Sequence, residues 1–556
     1  MKSGPETARA ERHAVVCVMA ACLLLFFFGF CEKSNLRPGS YLYAGAVILP
    51  LLAYLSFRSA LIPDAGKRLP LFLYASACAV TTLVLIYANG HSTALMLWLT
   101  LLMLGMWAVL LSSRGQLDDR RALALLIAGG ILLRFVYVLY TDSLSRQHDV
   151  NAWGDFSGHA PYIEYWYRNG LKLPDFDVRT RWQFYHPPLH HWLMALALRL
   201  FTGCGMEYGT ACEALQILPF LYSCLTLLVC VGLFRQVGLA GPPLLTAAAI
   251  VCFHPTFVLM SGSFGNDMLS VLFILLSLLL ALRWYEEPTL RRILPLAFSI
   301  GLGMMAKLSA WTAAPAVALL FLCALLRDRK NWKRFFGQYA LFGLICAPLG
   351  LWWQVRNFFA FGVPLTFIPP QPTTSSQYCG NLGAARRLFD FGGEQLRYVY
   401  VALTMYGAPY NDFNPTLGLF KTALFDEVVN GVRASVFPAI TVTGPILFWT
   451  GTALGLLCFG AFVFMMARRD AGLDGVRRAF FTVFALTQLI SYYLFCFAYP
   501  YTCTMNIRYC AALIPVFAMG LGLLLRRFAG GRLRLFCVGL TALFAVMSCV
   551  VYAQVG

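Results

Sequence analysis

The sequence predicts an all-α polytopic membrane protein, and three observations carry that prediction. Of 556 residues, 59% are hydrophobic and only 12% are charged, against about 25% charged in soluble domains. Apolar runs of roughly 17 to 25 residues, the length a helix needs to cross a bilayer, recur to the end of the chain, and no long stretch alternates with period two as barrel strands do. The formal net charge of +18 is gathered into short loops between those runs, such as Arg114, Arg120 and Arg121, Arg327 to Arg334, Arg468 with Arg469, Arg477 and Arg478, and Arg526 to Arg534. That is the positive-inside pattern. It marks a cytoplasmic face and excludes a nucleic-acid partner, because no basic patch lies on a soluble domain.

Taken in order, apolar spans fall near 14–31, 40–57, 69–88 and 92–112. The first run has no small-residue cleavage site behind it and reads as a retained helix rather than a signal peptide. These four form an N-terminal module, residues 1–118, closed by the charged linker SSRGQLDDRR. The core, 119–556, opens with a span near 122–141. The apolar piece 189–201 is too short to cross a bilayer and is expected to lie at the interface. Spans near 213–234, 243–261, 267–285, 291–305, 308–326, 336–353, 441–467, 479–498, 508–526 and 534–553 follow. The expected total is about 15 helices, about 11 of them in the core, and every basic cluster then lands on one side. Two large loops face the other side, 142–211 and 354–440. Loops of that length are usually functional or disordered, and their tyrosines and short apolar stretches argue for ordered loops with juxtamembrane helices.

The first loop carries SRQHDVNAWGDFSGHAPYIEYWYRNGLKLPDFDVRTRWQFYHPPLHHW. Asp149 and Asp155 sit among Trp153, Phe156, Tyr162 and Tyr165, a setting that suits a general base. A solvated loop is the bland alternative for both. Asp267, in SFGND, either caps a helix or orients an acceptor or a metal. Lys307, Arg356 and Arg508 break the charge bias of their face. Each alone would merely snorkel, but together, with Tyr509 beside Arg508, they fit an anionic headgroup. Clustered acids admit Mg²⁺ or Mn²⁺ as a divalent cation. His159, His186, His190 and His191 lack the HExxH pattern of a zinc hydrolase. Most of the 18 cysteines lie in apolar runs; Cys379 and Cys503 fall in loops, as a disulfide or as free thiols.

In their order and sidedness these elements resemble the GT-C-type integral-membrane glycosyltransferases, most closely glycosyltransferase family 39, which includes protein O-mannosyltransferases and lipid A aminoarabinose transferases. The resemblance rests on Asp149 or Asp155 after the first core helix, the aromatic stretch Tyr162 to Tyr167, His186-Pro187-Pro188-Leu189, Asp267, Ala306-Lys307, Arg356-Asn357 with Gly362-Val363-Pro364-Leu365, and Arg508-Tyr509. The family's Asp-Glu pair is replaced by His148-Asp149 and Gly154-Asp155. The resemblance implies transfer of a sugar from a polyprenyl-phosphate donor, with inversion, to a glycan, lipid or protein acceptor outside the plasma membrane. In that picture Asp149 or Asp155 is the base, Asp267 orients the acceptor, and Lys307 and Arg508 hold the lipid phosphate. His159, Tyr162, His186, Arg356 and Tyr509 line the substrate site. A transporter, flippase or polymerase of polyprenyl-linked glycans is the rival reading, but such carriers place ionisable groups near mid-membrane.

Overall fold

The computed structural model describes residues 104–105, 108, 111–112, 115–144, 149–170, 172–396, 398–403, 412–429, 442–469, 472–528 and 530–554. The expected four-helix module, 1–118, lies almost wholly outside them. The described chain is helical throughout, apart from two three-residue strands, β1 (Val401–Leu403) and β2 (Glu427–Val429), which pair in parallel.

The helices are α1 (Asp119–Tyr140), α2 (His159–Arg168), α3 (Leu189–Gly203), α4 (Tyr208–Ala214), α5 (Ile217–Gln236), α6 (Gly241–Phe253), α7 (Pro255–Leu259), α8 (Asp267–Glu286), α9 (Leu290–Ala306), α10 (Ala314–Arg327), α11 (Trp332–Phe361), α12 (Ala384–Phe389), α13 (Pro415–Phe425), α14 (Thr443–Ala467), α15 (Gly475–Ala498), α16 (Leu513–Arg527) and α17 (Gly531–Gln554). Among the described residues eight helices are long and apolar enough to cross a bilayer, and the bent pair α6–α7 makes a ninth. Helices α9 and α16, with 17 and 15 residues, are shorter, yet each runs between the same two layers as its neighbours: α9 packs on α8 and α11, and α16 on α14 and α6. Helix α3 is the expected non-crossing piece. It packs chiefly on α2 and also touches α4 and α9.

The bent pass shows what a bilayer interior demands. Helix α6 ends at Phe253, and α7 resumes at Pro255 after a 48° change of direction at His254. Proline has no amide hydrogen and blocks the preceding turn, so carbonyls at the break are freed where no water can satisfy them. Arg134 of α1, fully buried, answers them. Its Nη1 donates to the carbonyls of Gly130 (2.8 Å) and Cys252 (2.5 Å), its Nη2 to Val251 (3.0 Å), and its Nε to Ser223 Oγ (2.8 Å). Ser223 in turn donates to the Phe257 carbonyl at 2.7 Å. Gly130 makes this approach possible, since a Cβ there would lie 2.8 Å from Cys252 Cβ.

A second core lies outside the bundle. The first large loop folds into a lobe around Tyr162, Ile163, Trp166, Val178, Phe184, Met194 and Leu198, all fully buried. It docks on α11 through Trp353, whose indole donates to the Tyr185 carbonyl at 3.1 Å, and through Trp352 stacked on Trp192. The second loop folds back on the segment before α16. The Cys379 amide donates to the Pro500 carbonyl at 2.9 Å, and a buried Lys421–Asp412 pair at 2.6 Å anchors α13. Cys379 and Cys503 are free thiols.

Arg134→Met removes the donors to the Gly130, Val251 and Cys252 carbonyls and is expected to cost about 3 kcal/mol. Detergent-denaturation midpoints of the two proteins measure this, and an unchanged midpoint contradicts the role given to Arg134.

Candidate functional site

The lobe, the start of α8, the end of α9 and the segment before α16 meet at one end of the bundle. Helix α8 begins with Asp267 and α9 stops just before Lys307. Asn266 links the two ends: its Nδ2 donates to the Ala306 carbonyl at 2.8 Å from a fully buried position. The link brings Lys307 Nζ within 2.5 Å of Asp267 Oδ1, with both side chains nearly buried. Asp267 thus pairs with an ammonium rather than making an N-cap hydrogen bond. Burial pushes the Lys307 ammonium down, and Asp267 pulls it back up.

Arg508 stands in a single helical turn, Ile507–Tyr509, that the second loop clamps. Asn506 Oδ1 accepts from the Arg508 amide at 2.9 Å, and Asn506 Nδ2 donates to Asp426 Oδ1 and Glu427 Oε1, each at 2.8 Å. The Ile507 amide donates to Thr422 Oγ1 at 2.8 Å. The guanidinium so placed donates to the Tyr509 hydroxyl at 3.0 Å, and the Lys307 ammonium lies 5.1 Å from the centre of the same ring. Arg508 Nη2 is 3.7 Å from Asp149 Oδ2, too far for a hydrogen bond. Its Nε is buried and has no hydrogen-bond partner among the described residues. Burial works against the Arg508 charge, but Tyr509, Asp267, Asp149 and Glu427 more than offset it and raise its pKa.

Asp149 reaches this group from the lobe. Its backbone is left-handed (φ 54°), as is that of Asn151 (φ 57°), a conformation that Asp and Asn tolerate better than most residues. The turn is closed by the His159 and Ala160 amides, which donate to the Asp149 and Val150 carbonyls at 2.9 and 3.0 Å. Gly158 (φ 125°) is required there, because a Cβ would come within 2.5 Å of the Val150 carbonyl oxygen. The Asp149 carboxylate remains 38% exposed while facing Arg508. Asp155 differs: it is exposed, and its Oδ2 accepts from the Ala152 amide at 2.8 Å, which tightens the turn.

The other expected site residues divide. Arg356 is a strut on the seam between lobe and bundle. Its guanidinium lies over Trp353 (5.4 Å) and Phe361 (4.8 Å), and it donates to Asn357 Oδ1 at 2.7 Å and to the Pro174 carbonyl. Tyr162 is fully buried in the lobe, and its hydroxyl donates to the His186 carbonyl at 3.1 Å. His159 stacks between His186 and His191, with Nδ1 2.9 Å from His191 Nε2. His190 Nε2 donates to the Phe264 carbonyl at 2.8 Å. Burial pushes the His186 imidazole down to about 3 and His190 to about 4, and holds His159 and His191 well below the usual value. These four neutral rings join the lobe to the loop that presents Asp267.

Among the described residues no three His, Cys, Asp or Glu side chains are placed to hold a metal ion. Asp267 already has a cation in the Lys307 ammonium. Among the described residues, the donor set around Asp267 therefore does not fit a protein-held divalent ion. Asn266 and Glu427 are the groups that sequence reasoning passed over, while Asn506 was read only as a donor beside Arg508 and not as the clamp on its turn. They carry no charge alternation or motif, and only the Asn-Asp and Asn-x-Arg contexts at residues 266–267 and 506–508 hint at them.

An all-helical membrane protein that gathers two acids and two cations at one end of its bundle is the class this geometry defines. It resembles the GT-C-type integral-membrane glycosyltransferases. Residues 185–353 match the family model described as dolichyl-phosphate-mannose-protein mannosyltransferase. That segment contains His186, Asp267 and Lys307, whereas Asp149 and Arg508 lie outside it. No curated protein matches the chain. Among solved structures, the chain is similar to the archaeal oligosaccharyltransferase AglB from Archaeoglobus fulgidus, in complex with an inhibitory peptide and a dolichol-phosphate. The two share 16% identity at a TM-score of 0.41 over 77% of this chain, and the match spans 55% of that structure's length.

The buried imidazoles imply a pH dependence of stability. The unfolded chain takes up protons on histidine below about pH 6.5, whereas the folded lobe holds His190 and His186 neutral down to about 4 and about 3. Stability is therefore full above the unfolded value and is lost progressively as pH falls from there toward the folded values. The slope is about 1.4 kcal/mol per pH unit for each imidazole that stays neutral. Thermal unfolding between pH 7.5 and 5 reads it directly: Tm falls with pH, and a flat or rising Tm counts against the buried cluster.

Proposed function

We propose that the chain transfers a sugar from a polyprenyl-phosphate-linked donor to an acceptor hydroxyl at the outer face of the plasma membrane, with inversion at the anomeric carbon. The observation that carries this reading is the convergence of a partly exposed Asp149 carboxylate with Arg508 and Lys307 around the Tyr509 ring. The charge bias supports the orientation. Arg327 to Arg334, Arg468, Arg469, Arg526 and Arg527 all lie at the end of the bundle opposite Asp267, and positive loops stay cytoplasmic.

In the proposed step Asp149 accepts the proton of the acceptor hydroxyl as its oxygen attacks the anomeric carbon. The bond from that carbon to the phosphate oxygen breaks on the opposite side, and its electron pair leaves with the phosphate. Arg508, with its unpartnered Nε, and Lys307 neutralise the charge that develops there, the kind of pre-placed electrostatic stabilisation that lowers such barriers most. Asp267 holds Lys307 in place. A glycan, a lipid or a protein fits the acceptor side, which opens where Asp149 meets solvent. Lys307 supplies the positive charge that a divalent ion would otherwise bring.

Asp149→Asn preserves the left-handed backbone and removes the base, so transfer in a donor–acceptor assay is expected to fall at least ~100-fold. Asp155→Asn is expected to stay near wild type, and equal loss in both variants would undo the choice of Asp149. Transfer is also expected to persist in EDTA; activity abolished by EDTA and restored by Mg²⁺ or Mn²⁺ would overturn the role given to Lys307.

A further inference from the structure

The end of the bundle away from the site holds a cleft of about 500 Å³ between α5, α8 and α9. Asp267 and Glu286 are the two ends of α8, and at about 1.5 Å per residue the cleft lies roughly 28 Å from the site, across the bilayer. Arg283, Glu286, Arg291 and Arg292 form its polar wall, and Leu280 and Pro295 its apolar one. Not all of this charge is neutralised within the fold. Glu286 is taken by Arg477, while Arg292 pairs with Glu287 at 2.5 Å and donates to the Arg283 carbonyl at 2.5 Å. The guanidinium groups of Arg283 and Arg291 have no hydrogen-bond or ion-pair partner among the described residues, and both are exposed. Beyond Pro295 the surface of α9 is apolar and open, with Phe298 47% exposed one turn further toward the membrane interior and Leu290 54% exposed at the rim.

We propose that this cleft binds the headgroup of an anionic phospholipid of the cytoplasmic leaflet. Arg283 and Arg291 hold the phosphodiester, and an acyl chain lies along Pro295 and Phe298. The chemistry recognised is a phosphate with one or more negative charges. Guanidinium groups match phosphate oxygens in paired hydrogen bonds, and basic pockets between helices on this face suit lipid headgroups. The apolar continuation of the wall into the bilayer selects a lipid over a free anion. The binding is independent of the transfer reaction proposed for the opposite face.

The test uses the full chain purified in uncharged detergent. Phosphatidylglycerol, phosphatidylcholine and inorganic phosphate are added separately, and bound lipid and Tm are measured by native mass spectrometry and thermal unfolding. Phosphatidylglycerol is expected to bind and raise Tm, with phosphatidylcholine and inorganic phosphate giving neither effect at equal concentration. Binding is expected to weaken about five-fold for each arginine removed in Arg283→Gln and Arg291→Gln and to survive in the Arg283→Lys/Arg291→Lys double variant, with transfer unchanged in all of them. Equal binding of phosphatidylcholine, or undiminished phosphatidylglycerol binding in the Arg283→Gln/Arg291→Gln double variant, overturns the site. Equal protection by inorganic phosphate overturns its identity as a lipid site.

Discussion

The ion pair between Asp267 and Lys307 is the contact on which the polar end of the molecule depends. Each residue sits at the terminus of a different membrane helix, and Asn266 fixes the two termini by taking the Ala306 carbonyl. A charge alone at that depth would be costly, while a paired one tolerates burial only with good geometry. The pair therefore demands that α8 and α9 end at the same level. That level in turn sets where the Phe264 loop meets the lobe, through His190, and where Lys307 meets Tyr509. Arg508 and Asp149 complete the group from two other directions without binding each other tightly.

The lobe has an aromatic core, which Trp353 of α11 and Phe264 help to form, and a seam against α11. Its polar groups are shared between two tasks. His159, His191 and Tyr162 hydrogen-bond within the lobe, His190 hydrogen-bonds the Phe264 loop, and Arg356 bridges the seam. Asp149 is spared because its turn is closed by backbone amides, which leaves the carboxylate to solvent and to Arg508. An acid held only by its backbone turn suits the base role proposed for Asp149.

Much of the fold was readable because a bilayer imposes length and charge rules on sequence. The spans from α1 to α17, the non-crossing α3 and the common sidedness of Asp149, Asp267, Lys307 and Arg508 all follow from those rules. The break at His254 was hidden inside an apolar run, 243–261, since hydropathy cannot tell a straight pass from a bent one. Arg356 and Asp155 carried the same charge signals as Arg508 and Asp149. What separates them is local: Arg356 finds aromatic faces and a carbonyl, and Asp155 finds the Ala152 amide. Asn266 and Glu427 were missed because they act by holding neighbouring segments in place, which leaves no periodic trace.

The bent pass formed by α6 and α7 bears on how the protein is made. Its carbonyls at Val251 and Cys252 would be orphaned in hydrocarbon if the segment entered the membrane alone. Their donor, Arg134, lies 117 residues earlier than Val251, in a helix synthesised and inserted first. Arg134 is itself a charge that lipid tolerates poorly until those carbonyls arrive. The two segments thus have complementary defects, and the N-to-C order of synthesis brings the arginine to the bilayer before the break that needs it. Biogenesis of this bundle is then a docking problem as much as an insertion problem, with α1 as the template on which the broken pass settles.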